Sequence, residues 1–266
     1  AGNENSTSVV FTKDTAYPAV TINSPLNQTY DTNSITFNVT ATDGSDVDSC
    51  WYSLTGGSVN YSMTETNPPE WDGTNSSMTQ GSHTVNYYCN DSSNNLNDTE
   101  QETFFIDSIY PLIDFTTGTE DNDTAFSRNW IFVNVSVTED NFENITYRLY
   151  NSTEEVNTTT YTTEIKEINW TSLSDETYTY NVTIVDVANN QNTTETRTII
   201  LDNVAPVMNY VNPTENSGVS RSRNYIEINI TALDDNLDSI VIKLYNLTHD
   251  QINSSTTTSS RANSST

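Results

Sequence analysis

Acidic residues recur in three groups along this chain of 266 residues, and each group combines one aspartate before a proline with carboxylates from later segments. The groups are Asp14 with Asp43, Asp46 and Asp91; Asp107 with Glu139, Asp140 and Asp186; and Asp202 with Asp234 and Asp235. Carboxylates that converge on one point suit Ca²⁺, which takes about six to eight oxygen ligands without strict geometry. Solvated acidic loops are the simpler interpretation, because the sequence contains no EF-hand loop.

The three groups follow an internal repeat. The prolines at positions 18, 111 and 206 recur after 93 and then 95 residues, and each follows an aspartate by four positions. Residues 35–43, 131–139 and 226–234 resemble one another, as do residues 90–100 and 185–195. A period of this length is too long for a solenoid and fits one small β-sandwich per repeat.

Alternating apolar and polar residues predict the strands that must position these acids. In the first repeat the strands are expected near 19–23, 34–42, 49–54, 57–63, 74–78, 82–90 and 100–106. In the second they are expected near 112–115, 130–138, 144–150, 158–168, 171–173, 177–185 and 195–201. Seven short strands without a helical period predict an all-β chain of tandem immunoglobulin-like β-sandwich domains. In that fold each acidic group lies at the domain end where the preceding linker enters.

The net charge of −27, together with few aliphatic residues, approaches the composition of disordered chains. Strand alternation argues against disorder, for example at Tyr178, Tyr180, Val182 and Ile184, and the chain has 15 Tyr and 4 Trp to bury. The strong negative field disfavours nucleic acid as a partner. No stretch of about 18 apolar residues is present, so no membrane-spanning segment is expected in this chain.

The two cysteines predict a disulfide. Aligning the repeats places Cys50 opposite Ile145 and Ile240, and Cys89 opposite Ile184. Both cysteines therefore replace inward aliphatic residues on strands that neighbour each other in one sheet. A reduced buried pair is the alternative, whereas a metal site is disfavoured because no further Cys or His accompanies them. A disulfide would place the protein outside the cytosol.

Glycosylation is the second extracellular signal. The chain has 19 Asn-x-Ser/Thr sequons, and N-linked glycans need exposed positions. Five sequons recur at equivalent strand positions and are predicted first: Asn38, Asn134, Asn229, Asn97 and Asn192. The further candidates are Asn27, Asn60, Asn75, Asn144, Asn181 and Asn246.

Catalysis has little support in the sequence, and no enzyme activity is expected. Only two histidines are present; His83 falls on an inward strand position, and His249 lies in a polar segment. Neither belongs to a nucleophile motif. Adjacent acids such as Asp234 and Asp235 imitate a glycosidase pair, but paired carboxylates in so acidic a chain are more typical of solvated loops.

The two ends of the chain depart from the repeat. We expect an N-terminal strand in residues 1–14, complete domains in 15–107 and 108–202, and an incomplete domain in 203–266 that ends in a Ser/Thr-rich tail. A fragment of a longer array explains both ends. The alternative is strand donation, in which the N-terminal strand of one copy completes the last domain of the next copy, end to end.

The turn at Asp186–Gln191, the strand after it and the Asp202–Pro206 junction resemble the tandem immunoglobulin-like repeats of prokaryotic surface proteins. Residues 49–57 and 81–91 are similar to repeats of archaeal surface proteins. This resemblance implies a structural surface rod or filament. It equally implies an adhesin or carbohydrate-binding stalk, in which Trp71, Trp130 or Trp170 would form sugar platforms unless they pack in the core.

Overall fold

A computed structural model describes residues 7–10, 12–258 and 261–265. The described residues form 23 β-strands and no helix, so the predicted all-β class is confirmed. The strands fall into three successive groups that match the repeats. None of the described segments is a helix long and apolar enough to cross a membrane.

The first domain contains nine strands in two packed sheets. They are β1 (Ala19–Ser24), β2 (Thr29–Tyr30), β3 (Ile35–Thr42), β4 (Val47–Ser53), β5 (Tyr61–Ser62), β6 (Thr64–Asn67), β7 (Glu70–Asn75), β8 (Gly81–Asp91) and β9 (Leu96–Ile106). One sheet has the order β1-β3-β7-β6, and the other has the order β2-β9-β8-β4-β5. Only β2 pairs in parallel, with β9, because the chain crosses from one sheet to the other between β1 and β2.

The second domain repeats this arrangement. Its strands are β10 (Leu112–Phe115), β11 (Thr124–Phe126), β12 (Trp130–Thr138), β13 (Phe142–Tyr150), β14 (Glu155–Tyr161), β15 (Glu167–Thr171), β16 (Glu176–Asp186), β17 (Gln191–Thr193) and β18 (Arg197–Leu201). One sheet has the order β10-β12-β15, and the other has the order β11-β18-β16-β13-β14 with β17 beside β16. The parallel pair is again the crossing strand, β11, with the last strand, β18.

The third group has five strands: β19 (Val207–Tyr210), β20 (Glu227–Leu233), β21 (Ile240–Tyr245), β22 (Gln251–Thr257) and β23 (Arg261–Ser265). They form a three-stranded sheet, β19-β20-β23, and a pair, β21-β22. Within the described residues after 203, no strand corresponds to β11 or to β16–β18.

Burial follows the alternation of the sequence where both sheets are present. Along β16 every second side chain is buried, and Tyr180, Val182 and Ile184 have no exposed surface. Large apolar side chains removed from water on facing sheets provide the main stabilisation of each domain. In β20 the alternating apolar side chains are only partly buried. Ile230 is 7% exposed, whereas Ile226, just before the strand, is 44% exposed. The third core therefore consists of three buried residues, Ile230, Ala232 and Ile240.

The structure corrects several strand predictions: the strand predicted at 57–63 is reduced to β5, and the one predicted at 74–78 is β7, which begins and ends earlier. The segment 158–168 is two strands in different sheets, β14 and β15, because the chain turns between Thr162 and Lys166. The supposed tail after Asn246 contains β22 and β23, whose backbones pair with β21 and β20. The N-terminal strand expected in residues 1–14 is absent from its described part, and Val9 and Val10 are exposed; residues 1–6 and Phe11 lie outside the described residues.

Candidate metal centre at the domain junction

Each junction aspartate makes the same local turn. One side-chain oxygen of Asp14, Asp107 and Asp202, Oδ1, accepts a hydrogen bond from the backbone N–H two residues later, at 2.9, 3.3 and 3.0 Å respectively. Aspartate favours this turn because its short side chain reaches its own backbone. The conserved spacing of aspartate and proline in the three repeats therefore has a structural cause.

The second oxygen of the junction aspartate binds the following domain. Asn141 donates its side-chain amide to Asp107 Oδ2 at 2.8 Å, and Asn236 donates in the same way to Asp202 Oδ2 at 2.9 Å. At the first junction, hydrogen bonds from the Ser45 side chain and from the backbone N–H of Ala16 hold the pKa of Asp14 below its usual range. The junction aspartates thus connect each linker to the domain that it enters.

Two of the three predicted acidic groups converge in the structure. Carboxylate oxygens of Asp107, Glu139 and Asp186 all lie within 4.8 Å of one another, and so do those of Asp14, Asp43 and Asp91. We call these the second-domain acidic group and the first-domain acidic group. Among the described residues no Lys or Arg forms a salt bridge with either group.

Five predicted ligands lie outside these groups. Asp46 takes a left-handed turn conformation with a φ of 67°, and Asp140 is exposed beside Glu139. Asp202, Asp234 and Asp235 line a cavity of about 500 Å³ together with Asp175, but three of their carboxylates do not meet at one point in the described structure. The prediction of a three-carboxylate group at the third junction is therefore corrected: the sequence places the acids on the right loops but not at ligand distance.

The turn after β16 fixes Asp186 as a buried anchor. Its Oδ1 accepts hydrogen bonds from the backbone N–H groups of Ala188 and Asn190 at 2.8 and 2.9 Å, and the Asn190 side chain donates to its Oδ2 at 2.8 Å. Asn189 occupies the left-handed region with a φ of 67°. Asparagine tolerates this conformation, and so it takes the place of the glycine that is common in such turns.

The first domain has an equivalent turn. Asp91 Oδ1 accepts from the backbone N–H groups of Ser93 and Asn95, and Asn95 Nδ2 donates to Oδ2 at 2.7 Å. Asn94 supplies the left-handed residue with a φ of 63°. The two turns are 95 residues apart in the sequence, which is the offset between the repeated segments 90–100 and 185–195.

The two groups differ in their electrostatics. Burial raises the pKa of Glu139, and the neighbouring charges of Asp186 and Asp107 raise it further. Burial also raises the pKa of Asp91, but hydrogen bonds from Asn95 and from two nearby serines outweigh this effect, so that the pKa lies below its ordinary value. The ionised form is therefore disfavoured for Glu139 in the second domain and favoured for Asp91 in the first.

Asn190 is a residue of the junction that the sequence analysis did not include among the candidates. Its side-chain nitrogen contacts the backbone oxygen of Asp107 at 2.9 Å and that of Ile109 at 3.4 Å, in addition to Asp186. Two residues later Asn192 donates to the backbone oxygen of Pro111 at 3.1 Å. The available signal was the repeat itself, because asparagines occur at the equivalent positions 95 and 97.

The predicted disulfide is confirmed. Cys50 on β4 is paired with Cys89 on β8 in the antiparallel ladder, and their Cα atoms are 4.2 Å apart. Both residues are buried. At the equivalent position of the second domain, Ile145 on β13 faces Ile184 on β16.

The five repeated sequons have structural roles. In each, the asparagine is half-buried and its side-chain nitrogen, the atom to which a glycan is attached, donates a hydrogen bond within the protein. The donor–acceptor pairs are Asn38 with Asp72, Asn134 with Thr117, Asn229 with Asn212, Asn97 with Pro18 and Asn192 with Pro111. Their recurrence follows from these contacts, so it is no argument for glycosylation.

The six further candidate sequons differ in how exposed the asparagine is. Asn27 and Asn60 are exposed, and no side-chain hydrogen bond from either is found among the described residues. Asn246 is exposed but donates to Asp250 at 3.1 Å. The remaining candidates, Asn75, Asn144 and Asn181, are half-buried.

The aromatic and histidine candidates lie in different environments. Trp71 and Trp170 are buried in the cores of their domains, which removes them as sugar platforms. Trp130 is 37% exposed, but the guanidinium of Arg128 lies 3.8 Å from its ring centre. His83 packs beside Phe104 and bonds the backbone oxygen of Thr79, while His249 lies in an exposed turn.

Comparison with known proteins supports the fold of the first domain. A family described as bacterial Ig domain matches residues 18–86. The fibronectin(III)-like modules of Clostridium thermocellum CbhA align over 69% of this chain and 94% of theirs, with 13% identity and a TM-score of 0.44. A marsupial T cell receptor aligns over 86% of this chain and 84% of its own, with 8% identity and a TM-score of 0.46.

Structural likeness at these scores carries no functional argument, and the assignment of tandem immunoglobulin-like sandwiches rests on the sheets described above. A search of curated proteins finds no match to this chain.

Proposed function

We propose that this chain is a structural component of a cell surface, a glycosylated rod or filament subunit built from tandem immunoglobulin-like domains. The observation on which this rests is the set of hydrogen bonds at the junction between the first two domains. Connected domains move relative to one another by default, unless contacts hold them. Here Asn141, Asn190 and Asn192 of the second domain bind the side chain or backbone of the linker that enters it.

Linker contacts also come from the first domain. Gln80 accepts a hydrogen bond from the backbone N–H of Ser108 at 2.9 Å and donates to its hydroxyl at 2.8 Å. The four residues from Ser108 to Pro111 are thus held from both sides. A short linker that is held in this way limits bending, which is what a rod requires and an enzyme or a flexible tether does not.

An extracellular location is supported by the disulfide, because such bonds form in oxidising compartments and are rare in the cytosol. The exposed sequons at Asn27 and Asn60 support N-linked glycans. The match of the first domain to bacterial Ig domains agrees with a surface protein. An archaeal surface, which the resemblance of residues 49–57 and 81–91 favours, is a finer prediction of the same proposal.

We extend the proposal to strand donation between copies. In the third domain Met208, Tyr210, Val241 and Ile242 line an open cavity of about 270 Å³ between the two small sheets. The second domain fills the equivalent space with β16 and β18. Residues 8–14 correspond in sequence to the last strand of a domain, so Val9 and Val10 of another copy would supply apolar side chains to this cavity.

Deletion of residues 1–13 tests the assembly. The intact chain should form end-to-end polymers that light scattering and electron microscopy detect, and the truncated chain should stay monomeric. Val9→Asp with Val10→Asp should act like the deletion, whereas Thr7→Asp, at an exposed neighbouring position, should leave assembly unchanged. Polymerisation that persists without residues 1–13 would exclude donation.

Electron microscopy of the native cell surface tests the broader proposal. Regular fibres that an antibody against this chain labels along their length are expected. Sparse tethers that end in a different domain would instead support the adhesin alternative and contradict the filament.

A further inference from the structure

The second-domain acidic group presents an electrostatic problem. Asp186 has no exposed surface, Asp107 is 3% exposed, and Glu139 is half-buried beside them. Ionised carboxylates are rarely buried without a positive partner, because removal from water costs several kcal/mol or more per charge. Hydrogen bonds from amides relieve part of this cost for Asp107 and Asp186.

An independent observation at the same place points to a ligand. Asn190 is 2% exposed, its carboxamide lies between Asp186 and the backbone oxygen of Asp107, and its carbonyl oxygen, Oδ1, has no hydrogen-bond partner in the described structure. A buried carbonyl oxygen without a partner costs about 1–3 kcal/mol. A cation beside this carboxamide would give Oδ1 a partner while the side-chain nitrogen keeps its hydrogen bonds to Asp186 and Asp107.

The chemistry of the donors selects the cation. The available ligands are the two oxygens of each of the three carboxylates and the Asn190 carbonyl oxygen, and no Cys or His belongs to the group. Oxygen-only sets of this kind bind hard cations, and a flexible set with more than four protein oxygens suits Ca²⁺ better than Mg²⁺. We infer that Asp107, Glu139, Asp186 and Asn190 form a Ca²⁺ site at the entrance to the second domain.

The site would join three segments of the chain. Asp107 follows β9 of the first domain, Glu139 lies between β12 and β13, and Asp186 ends β16. A bound Ca²⁺ would neutralise repulsion among them and hold the linker against the second domain. This inference stands apart from strand donation, because it concerns a junction within one chain.

Calorimetric titration of the full chain with CaCl₂, after treatment with chelator, tests the inference. The titrations use an Asp43→Asn background, which removes one ligand of the first-domain acidic group so that a single site remains. We expect a dissociation constant on the order of 10⁻⁴ to 10⁻³ M, as in other extracellular modules. MgCl₂ serves as the competing ion and should bind more weakly.

Glu139→Gln and Asp140→Asn form a matched pair of variants. Each removes one negative charge at adjacent positions, but only Glu139 belongs to the acidic group. Glu139→Gln should weaken Ca²⁺ binding by at least about tenfold, since even outer partners of metal ligands are worth that much. Asp140→Asn should change the affinity by less than about twofold, as expected for a screened surface charge.

The signal of the Asn190 side-chain amide in nitrogen–proton correlation spectra provides a local readout, and it should shift on Ca²⁺ addition. Circular dichroism confirms that both variants are folded. The inference is overturned if the background protein binds no Ca²⁺ in this range, or if both variants lose affinity equally, which would indicate a diffuse attraction to the acidic surface.

Discussion

The first and second domains solve the same packing problem with different chemistry. Where the first domain joins its two central strands through Cys50 and Cys89, the second packs Ile145 against Ile184 at the same ladder position. The fold therefore requires a buried contact of this size between the strands, and a covalent bond is one way to make it. The third domain has Ile240 at this position, with no facing strand on that side among the described residues.

The domains also differ at their acidic groups. In the first domain hydrogen bonds favour the ionised form of Asp91, whereas in the second domain burial and neighbouring charges disfavour the ionised form of Glu139. Asp186 accepts the same set of hydrogen bonds as Asp91, so the two groups differ mainly at Glu139, whose ionised form is disfavoured by burial. The cation site is assigned to the second domain because Asp107 and Asp186 are buried there and Oδ1 of the buried Asn190 side chain has no hydrogen-bond partner in the described structure.

Removal of the disulfide should change the free energy of unfolding more than any other substitution proposed for these domains. Cys50→Ala with Cys89→Ala should lower the free energy of unfolding of the first domain by about 4 kcal/mol, because the bond closes a loop of about 40 residues in the unfolded chain. The second domain should be unaffected. Hydrogen exchange of first-domain and second-domain amides as a function of denaturant measures the change in each domain separately.

The control for this variant is Cys50→Ile with Cys89→Ile, which copies the second domain. If the position needs only a buried apolar contact, the isoleucine pair should be more stable than the alanine pair. Equal stability of the two variants would show that the domains are not equivalent here.

Asn190→Ala should have the next largest effect. The substitution leaves Asp186 and the backbone oxygen of Asp107 without this donor, and it should lower the stability of the second domain by about 1–3 kcal/mol. Asn95→Ala in the first domain should cost less, because Asn95 is half-buried and, among the described residues, its side chain donates to Asp91 alone. Hydrogen exchange of the backbone amides near each turn measures the two losses of stability separately. Equal losses would show that the hydrogen bonds of Asn190 to the linker add no stability.

The pH dependence should differ in sign between the two acidic groups. For Glu139 the folded pKa is raised above its ordinary value of 4.5, so its stabilising contribution is present below about pH 4.5 and is lost as the pH rises through the folded pKa. For Asp91 the folded pKa lies below 3.8, so its contribution is present above this value and is lost as the pH falls through the folded pKa.

Without divalent cations, Glu139→Gln should therefore stabilise the chain at neutral pH relative to wild type and give no such gain at about pH 4. Asp91→Asn should destabilise it at neutral pH. Urea titrations in chelator across this range measure both changes. A Glu139→Gln variant that is less stable than wild type at neutral pH would contradict the assigned direction.

Much of the fold was predictable because strand alternation and the repeat register are local properties of the sequence. The facing of Cys50 and Cys89 followed from the alignment of the repeats. The break between β14 and β15 did not, since apolar and β-branched residues continue through 158–168 and only the change of sheet reveals the turn. The strands after Asn246 were missed because Ser and Thr runs resemble a linker in composition.

The site was predictable only to the level of loops. The sequence placed Glu139 and Asp140 together, but adjacent side chains point in different directions, and only one reaches Asp107. Asn97 and Asn192 match the glycosylation motif, although their side chains bond linker carbonyls. A motif of three residues cannot record such contacts, which join residues about 80 positions apart.

The central claim is that the junction holds the first two domains in one orientation. Spin labels at Thr74→Cys in the first domain and Thr171→Cys in the second, both exposed positions, report this directly through electron double resonance. A single narrow distance distribution is predicted for the intact chain, with broadening when Asn141 and Asn190 are both replaced by Ala. A broad distribution in the intact chain, with and without Ca²⁺, would contradict the account.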